Sequence, residues 1–278
     1  MNRELSVVPE EFPADELWSY RNRIQLRAET GKLGFFEKGS RSLVNISRCE
    51  VSQNEINEKI PEVLGSPEVR DCILQEAQQM KIELDVDPVS RSVRVAVNQP
   101  HAAFGFRQVN DAQNEKLRTW VKNSFPETGY LLDLYGGAGN LSNGLIERMK
   151  KIDCVDVSVP ENASSLAAHF QYHRTTVLPW LKTQASARKH GKYSESSPVF
   201  AIMDPPREGL GDVGQGILEA FEILGVERFI LVGCDPDSFA RDVFQILRSR
   251  WDIHSMALFD FFPQTPHVES AALFVRRI

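Results

Sequence analysis

The sequence predicts an α/β fold, a mostly parallel sheet with helices on both faces, preceded by a smaller α+β unit. Three observations predict it. From Tyr130 onward, short apolar runs (YLLDLY, KIDCVDV, VFAIMDPP, RFILVGC, HSMALFDFF and ESAALFVRR) alternate with helical or loop segments, the pattern of strands covered on both faces. The first hundred or so residues instead form short strands broken by tight turns, around two helical stretches. A content of 42% apolar and 25% charged residues over 278 positions belongs to a chain that can bury a sizeable core, as one large or two ordinary domains. The change of pattern sets the boundary, with 1–103 as the α+β domain and 104–278 as the α/β domain.

After a polar lead, Arg23 to Glu29, Leu33 to Glu37 and Leu43 to Ile46 read as a β meander with turns at Thr30-Gly31 and Gly39-Ser40. Arg21, Arg23, Arg27, Lys32, Lys38, Arg41 and Arg48 crowd this stretch, interleaved with Tyr20, Phe35 and Phe36. That composition suits either a solvated sheet face or a nucleic-acid contact surface. Two helices follow, one announced by a Ser52 to Glu55 capping box and one by Ser66-Pro67-Glu68. The alternation in KIELDVD and SVRVAVN then predicts a hairpin. From Phe104, a run carrying Gln108, Asn110 and Asn114 turns into a helix that ends before Pro126 and Gly129. The last two strands are joined by a short connection, which lets one of them run antiparallel. Between Asp156 and Asp204, KTQASARKHGKYSESS reads as a solvated loop.

Composition narrows the function classes. No apolar run approaches the roughly 18 residues of a membrane span, and the first residues lack a signal-peptide stretch, so a cytoplasmic protein is expected. Cys49, Cys72, Cys154 and Cys234 lie far apart, which argues against a zinc site, an iron–sulfur cluster or a disulfide framework. Three of them are expected to be buried, inert thiols. A net charge of -6 weighs against a nucleic-acid binder without excluding a local basic patch.

Five segments carry chemistry. In LLDLYGGAGNLSNGL an apolar strand ends in Gly136, Gly137 and Gly139 before an expected helix start, which fits a dinucleotide, S-adenosylmethionine (AdoMet) or a plain tight turn. Asp156 ends the next strand about 20 residues on, where a carboxylate can accept ribose hydroxyls. In MDPPREGL, Asp204 leaves a strand into two prolines that hold the loop to one shape. In FILVGCDPDSFARDV a strand delivers Cys234 onto a turn, with Asp237 or Ser238 able to cap the following helix. In DFFPQTPHVESAALF, Glu269 and His267 stand at the entry to the final strand, so a thiol and a carboxylate at strand ends can converge as nucleophile and base.

In this order the segments resemble the RNA uracil-C5 methyltransferases, the enzymes that make 5-methyluridine in tRNA and rRNA. The resemblance runs from about Tyr20 to the C-terminus and rests on YRNRIQL, LGFFEKGS, FRQVN, LDLYGGAGN, DPPREGL, VGCDP with ARD, and FPQTPHVE. It implies a class I AdoMet-dependent methyltransferase domain, Rossmann-like with a mostly parallel seven-stranded sheet, and a first domain that helps present RNA. Gln108, Tyr135, Gly137, Asn140, Asp156 and Asp204 would line the AdoMet site, Cys234 would be the nucleophile and Glu269 the base, with Arg207 and His267 toward the substrate. A neighbour must favour the Cys234 thiolate, and the helix start after Asp235 is one candidate. The chain reads as a short form without the N-terminal RNA-binding barrel or the iron–sulfur cysteines of other members, so a partner protein supplying RNA-binding surface is an expectation. Asp156 stands where glutamate is usual. Two rivals stay open: a non-catalytic AdoMet-binding RNA module, and C5 methylation of another pyrimidine such as cytosine.

Overall fold

The computed structural model describes residues 7–29, 31–74, 79–100, 103–105, 107–125, 127–159, 166–189 and 197–277. Thr30, Pro126 and residues 190–196, which the sequence assigns to turns and a loop, lie outside them, as does the side chain of Cys72. In chain order the strands are β1 (Glu10–Phe12), β2 (Arg23–Glu29), β3 (Lys32–Phe36), β4 (Leu43–Asn45), β5 (Met80–Val86), β6 (Val93–Val97), β7 (Tyr130–Leu134), β8 (Lys151–Asp156), β9 (Phe170–Arg174), β10 (Val199–Met203), β11 (Val226–Gly233), β12 (Trp251–Phe259) and β13 (Glu269–Arg276). The α-helices are α1 (Asn54–Gly65), α2 (Pro67–Leu74), α3 (Asp111–Ser124), α4 (Val177–Lys189), α5 (Gly214–Leu224) and α6 (Pro236–Leu247).

The chain divides into two units, Asp15–Ala112 and Met1–Ala14 with Gln113–Ile278. The sequence drew one boundary, between 103 and 104. Two interactions account for the difference. β1 pairs with β12 in parallel, returning the N-terminal segment to the larger sheet. Asn22 Nδ2 donates to the Gln108 carbonyl (2.9 Å) and to Asp111 (2.7 Å), keeping the segment after 103 with the smaller unit.

In the larger unit eight strands run in the order β1-β12-β13-β11-β10-β7-β8-β9. Only β13 is antiparallel to its neighbours, as the short connection before it allows. The eighth strand, β1, extends the expected seven and is held by Phe12 stacked on Phe259 at 4.6 Å. β7 and β10 are buried along their whole length, because both faces are covered. Leu132, Leu134, Ala201, Met203 and Leu231 pack against α4, α5 and α6, while Leu131, Ile202, Ile230 and Val232 pack against Leu117, Trp120 and Val121 of α3. This is why the sequence shows continuous apolar runs rather than alternation.

Several local readings are corrected. α4 occupies much of the stretch read as a loop, burying Trp180, Leu181 and Ala185 at helical spacing within polar neighbours. β9 reads FQYHR and buries only Phe170 fully, which hid it as a strand. The helix expected directly after the glycine turn is a short 3-10 turn, Asn143–Leu145. The Ser52–Glu55 capping box does not form: Gln53 stands at the N-cap without a side-chain bond, and Glu55 pairs with Arg91. Cys154 is buried as expected, but Cys49 is partly exposed.

In the smaller unit the antiparallel sheet runs β4-β3-β2-β5-β6, with Ile24, Leu26, Leu33, Ile82 and Leu84 packed on Ile56, Ile60 and Val63 of α1. The basic run is divided by this fold. Arg23, 6% exposed, is tied to fully buried Asp85 at 2.9 Å, and Arg48 pairs with Glu50. Arg27 lies over the Phe36 ring, while Lys32, Lys38 and Arg41 are exposed. Asp85 also accepts from Arg94 Nε at 3.0 Å, so it neutralises two guanidinium groups from a buried position. Asp85→Ala is expected to cost up to about 3 kcal/mol, because it leaves the buried Arg23 with the more distant Glu83, at 3.7 Å, as counter-charge; urea unfolding of the full chain measures it.

Candidate active site

The site lies where the parallel strands end. β8, β7, β10 and β11 all finish at one edge of the sheet, with Val155 opposite Leu134, Leu134 opposite Met203, and Met203 opposite Leu231. The next residues along these strands are Asp156, Tyr135, Asp204 and, a little farther out on β11, Cys234. β7 is the switch point, since the chain order leaves it toward β8 on one side and β10 on the other, and ligands of open α/β sheets bind outside the carboxyl ends of such strands. β13 runs the opposite way, so its first residue, Glu269, comes to the same edge. Gly233 pairs with Ser270 at the end of that ladder, so Cys234, the residue after Gly233, and Glu269, the residue before Ser270, emerge at the same end of the sheet.

The glycine turn is shaped by carboxylates. Asp133, buried in β7, accepts from Ser142 Oγ (2.5 Å), and a Cβ on Gly136 would lie 2.6 Å from that carboxyl and 2.7 Å from Cys154 Sγ. Asp156 Oδ2 accepts from the Gly137 amide at 3.1 Å and its Oδ1 from the Ser158 amide at 2.6 Å. Each oxygen keeps a lone pair for a further donor. A Cβ on Gly137 would meet nothing within 4 Å, so the backbone there borders open space. An acceptor pair beside an open backbone turn suits the vicinal hydroxyls of a nucleoside, and on these grounds the residues fit AdoMet. Asn140, expected at the same ligand, exchanges two amide hydrogen bonds with Asn114 (3.0 and 2.8 Å). Gln108 belongs to the smaller unit, where its carbonyl holds Asn22.

Around Cys234, burial and charge compete. The thiol is half-buried and its pKa is pushed up, chiefly by desolvation and then by Glu269, while the Arg207 guanidinium pulls it down. Glu269 is 2% exposed, and burial with the nearby Asp204 carboxylate raises it well above the usual carboxylate range. Asp204 is pushed up to about 7 by burial, then by Asp133 and Asp156, and Asp133 to about 6 by burial. These effects fall off within several ångströms. Cys234, Glu269, Asp204 and Arg207 therefore form one electrostatic cluster. His267 is exposed, its ring meeting Phe262 edge-on at 6.2 Å. The helix after Cys234 does start right after Asp235, but Asp235 itself, not Asp237 or Ser238, is the N-cap, accepting from the Ser238 amide at 2.9 Å with Pro236 at the first helical position.

A model of the tRNA (uracil-5-)-methyltransferase family matches residues 55–175 and 191–277, well over half of the chain. The chain belongs to that family. Among similar proteins, an uncharacterized RNA methyltransferase of Nitrosomonas europaea is 28% identical over 94% of this chain and 65% of its own length. A 23S rRNA (uracil(1939)-C(5))-methyltransferase of Haemophilus parainfluenzae is 25% identical over 94% of this chain and 71% of its own. A tRNA/tmRNA (uracil-C(5))-methyltransferase of Wolinella succinogenes is 30% identical over 64% and 49%. The chain thus spans about two thirds or less of the length of most of these relatives. The crystal structure of Pyrococcus abyssi tRNA (uracil-54, C5)-methyltransferase, in complex with S-adenosyl-L-homocysteine, covers 96% of this chain and 79% of its own at a TM-score of 0.66 and 19% identity. That likeness and the strand order give the class I methyltransferase fold that the sequence predicts.

The family motifs take on positions here that single-residue reading did not supply. Asp242, within the ARD segment, is 1% exposed and accepts from the Leu210 amide at 2.6 Å. Asp133 was read only as part of an apolar strand. Both had a signal: Asp133 interrupts a continuous apolar run, and Asp242 shares the helical face of Phe239, Val243 and Ile246.

The raised carboxyls have a consequence for folding. Asp133 and Asp204 bind a proton more tightly in the folded chain than an unfolded Asp of pKa about 3.9 does. The stability they contribute is complete below that value and is lost as pH rises through about 6 and 7. The urea midpoint is expected to fall between about pH 4 and pH 7 and to level off above, and Asp204→Asn to flatten that fall; equal slopes for both proteins count against it.

Proposed function

We propose that the chain is an AdoMet-dependent RNA (uracil-C5)-methyltransferase in which Cys234 is the nucleophile and Glu269 the base, forming 5-methyluridine in tRNA or rRNA. The observation that carries this reading is that Cys234 directly follows, and Glu269 directly precedes, the last pair of the β11–β13 ladder, Gly233 with Ser270, with Asp204 and Arg207 in electrostatic reach of both. A protein that only held AdoMet would have no use for that pairing. Names of relatives support both RNA classes, since they include a 23S rRNA enzyme and tRNA/tmRNA enzymes.

C5 of uracil is a weak nucleophile, so the thiolate of Cys234 adds first to C6 and the C5=C6 electrons move toward O4. Covalent addition divides one hard step into easier ones. AdoMet, when bound, supplies the electrophilic methyl group that C5 accepts, with Tyr135, Gly137, Asn140, Asp156 and Asp204 as the residues that would hold it. The Glu269 carboxylate then takes the C5 proton, the C5=C6 bond re-forms and the S–C6 bond breaks, returning the thiolate. Burial strengthens Glu269 as a base by the same effect that raises its pKa. Arg207 stabilises the thiolate, and Arg207 and His267 are the side chains we assign to the substrate. A uridine inside folded RNA must be unstacked to reach Cys234.

With 5-fluorouridine in place of uridine, C5 carries no removable proton. Wild-type protein with AdoMet is expected to form a denaturation-resistant adduct with such RNA, and Cys234→Ala to form none. Glu269→Gln is expected to lose about 10²- to 10⁴-fold in turnover and to trap an adduct on ordinary RNA. Absence of a wild-type adduct on both tRNA and rRNA overturns the mechanism. Nucleoside mass spectrometry of the two fractions, from cells with and without the protein, separates the RNA classes and exposes any methylated cytosine.

For RNA capture we propose the exposed cations Lys32, Lys38 and Arg41 with Phe36, the part of the basic run that the fold leaves toward solvent. Lys38→Glu with Arg41→Glu is expected to weaken RNA binding and to flatten the salt dependence by about 0.7–0.9 per lost phosphate contact, with AdoMet affinity unchanged. An unaltered salt slope assigns RNA capture to another surface or a partner chain.

A further inference from the structure

The loop from Asp204 to Leu210 is held along its length by one helix. Ser238 Oγ donates to the Arg207 carbonyl at 2.7 Å, an Arg241 guanidinium nitrogen to the Glu208 carbonyl, and the Leu210 amide to Asp242 Oδ2 at 2.6 Å. Asp242 Oδ1 accepts in turn from Arg241, Nε at 3.2 Å and Nη2 at 3.1 Å, orienting the guanidinium that holds Glu208. Residues 238, 241 and 242 stand at i, i+3 and i+4, so they share one face of α6. Gly209, with φ 73°, lies so close that a Cβ there would be 2.2 Å from Asp242 Oδ2; a side chain at 209 would push the loop off the helix.

α6 begins at Pro236, two residues after Cys234, and the loop it holds carries Arg207, whose charge acts on both Cys234 and Glu269. We propose that Asp242 is a positioning residue: by anchoring the Asp204–Leu210 loop to α6, it sets where the Arg207 charge stands relative to the Cys234 thiol. The thiol's turn and the arginine's loop are thereby fixed to the same helix. A buried carboxylate in the apolar face of α6 has a solvation cost, and the loop amide and Arg241 are what offset it. This inference rests on the reading of Cys234 as the nucleophile, but its test does not use methyl transfer.

The experiment is the pH dependence of Cys234 alkylation by iodoacetamide in the full chain, without RNA or AdoMet, with Cys49, Cys72 and Cys154 replaced by Ala. Asp242→Ala is expected to slow alkylation near neutral pH by about threefold or more, the effect of a half-unit rise in thiol pKa. Asp242→Asn, which keeps an oxygen for the Leu210 amide, is expected to restore the wild-type profile. In an Arg207→Ala background, Asp242→Ala is expected to add no further change. The sign is decisive: a carboxylate acting only through its own charge makes the thiol more acidic when removed, so faster alkylation in Asp242→Ala overturns the proposal. An equal slowing with and without Arg207 overturns it as well. Ser238→Ala, which removes only the bond to the Arg207 carbonyl, is expected to slow alkylation in the same direction and supplies the answer if Asp242→Ala does not fold. If the couplings hold and no RNA is methylated, the functional reading fails while the positioning role stands.

Discussion

The direction of β13 is the constraint on which the candidate site depends. Glu269 is the first residue of that strand, and Cys234 follows the last residue of β11. In an antiparallel pair the first residue of one strand meets the last of the other. Were β13 parallel, its eight residues would carry Glu269 to the opposite edge of the sheet, roughly 25 Å from the thiol. The short connection from β12 is what permits the reversal, since a parallel crossover needs a dozen residues or more. Sheet topology thus brings together Cys234 and Glu269, separated by 34 intervening positions in a chain that carries them on different motifs.

The same sheet edge gathers Asp156, Asp204 and Glu269, with Asp133 just inside β7, and burial together with neighbouring carboxylates pushes up Asp133, Asp204 and Glu269. This is an unusual setting for a thiolate. Burial and the carboxylates push the Cys234 thiol up, and Arg207 opposes them without prevailing. That balance makes the position of one guanidinium matter, because a small displacement changes the only favourable contribution a side chain makes to the thiolate among the interactions resolved at Cys234. The Asp204 carboxylate is one of the groups that push Glu269 up, as neighbouring carboxyls do.

Much of this was legible in the sequence, and the misses have physical reasons. Continuous apolar runs revealed the buried strands β7, β10 and β11 because both of their faces are covered. The antiparallel end strand followed from a short connection. β1 was invisible: EEF has two exposed acidic residues, and its partner lies about 245 positions away. β9 was hidden because it closes one edge of the sheet, where only Phe170 is fully buried and four polar or amphipathic residues complete the strand. α4 was lost in a polar string because its buried residues Val177, Trp180, Leu181 and Ala185 are sparse. The Asp235 cap was misplaced by two or three residues because proline at the first helical position shifts the start toward the N-terminus. Asp242 had a readable signal, a charge at apolar spacing, whose meaning needed the loop that it holds.

Tyr135 shows how far the backbone is bent to make the glycine turn. It is not a glycine, yet its φ is 60°, in the left-handed region where a side chain costs roughly 1–2 kcal/mol. Two contacts hold it there: its amide donates to the Val155 carbonyl at 2.9 Å, and its ring packs on the core beside β7. The left-handed step turns the chain off the end of β7 and drives Gly136 onto Asp133 and Cys154, where no larger residue fits. It also brings the Gly137 amide to Asp156, so strand β8 fixes the turn that β7 begins. A tyrosine kept at this cost is accounted for by its ring, whose hydroxyl pKa is raised by burial and by Asp156 and Asp242. That ring lies within electrostatic reach of Asp156, which holds the Gly137 amide, and of Asp242, which holds the Leu210 amide.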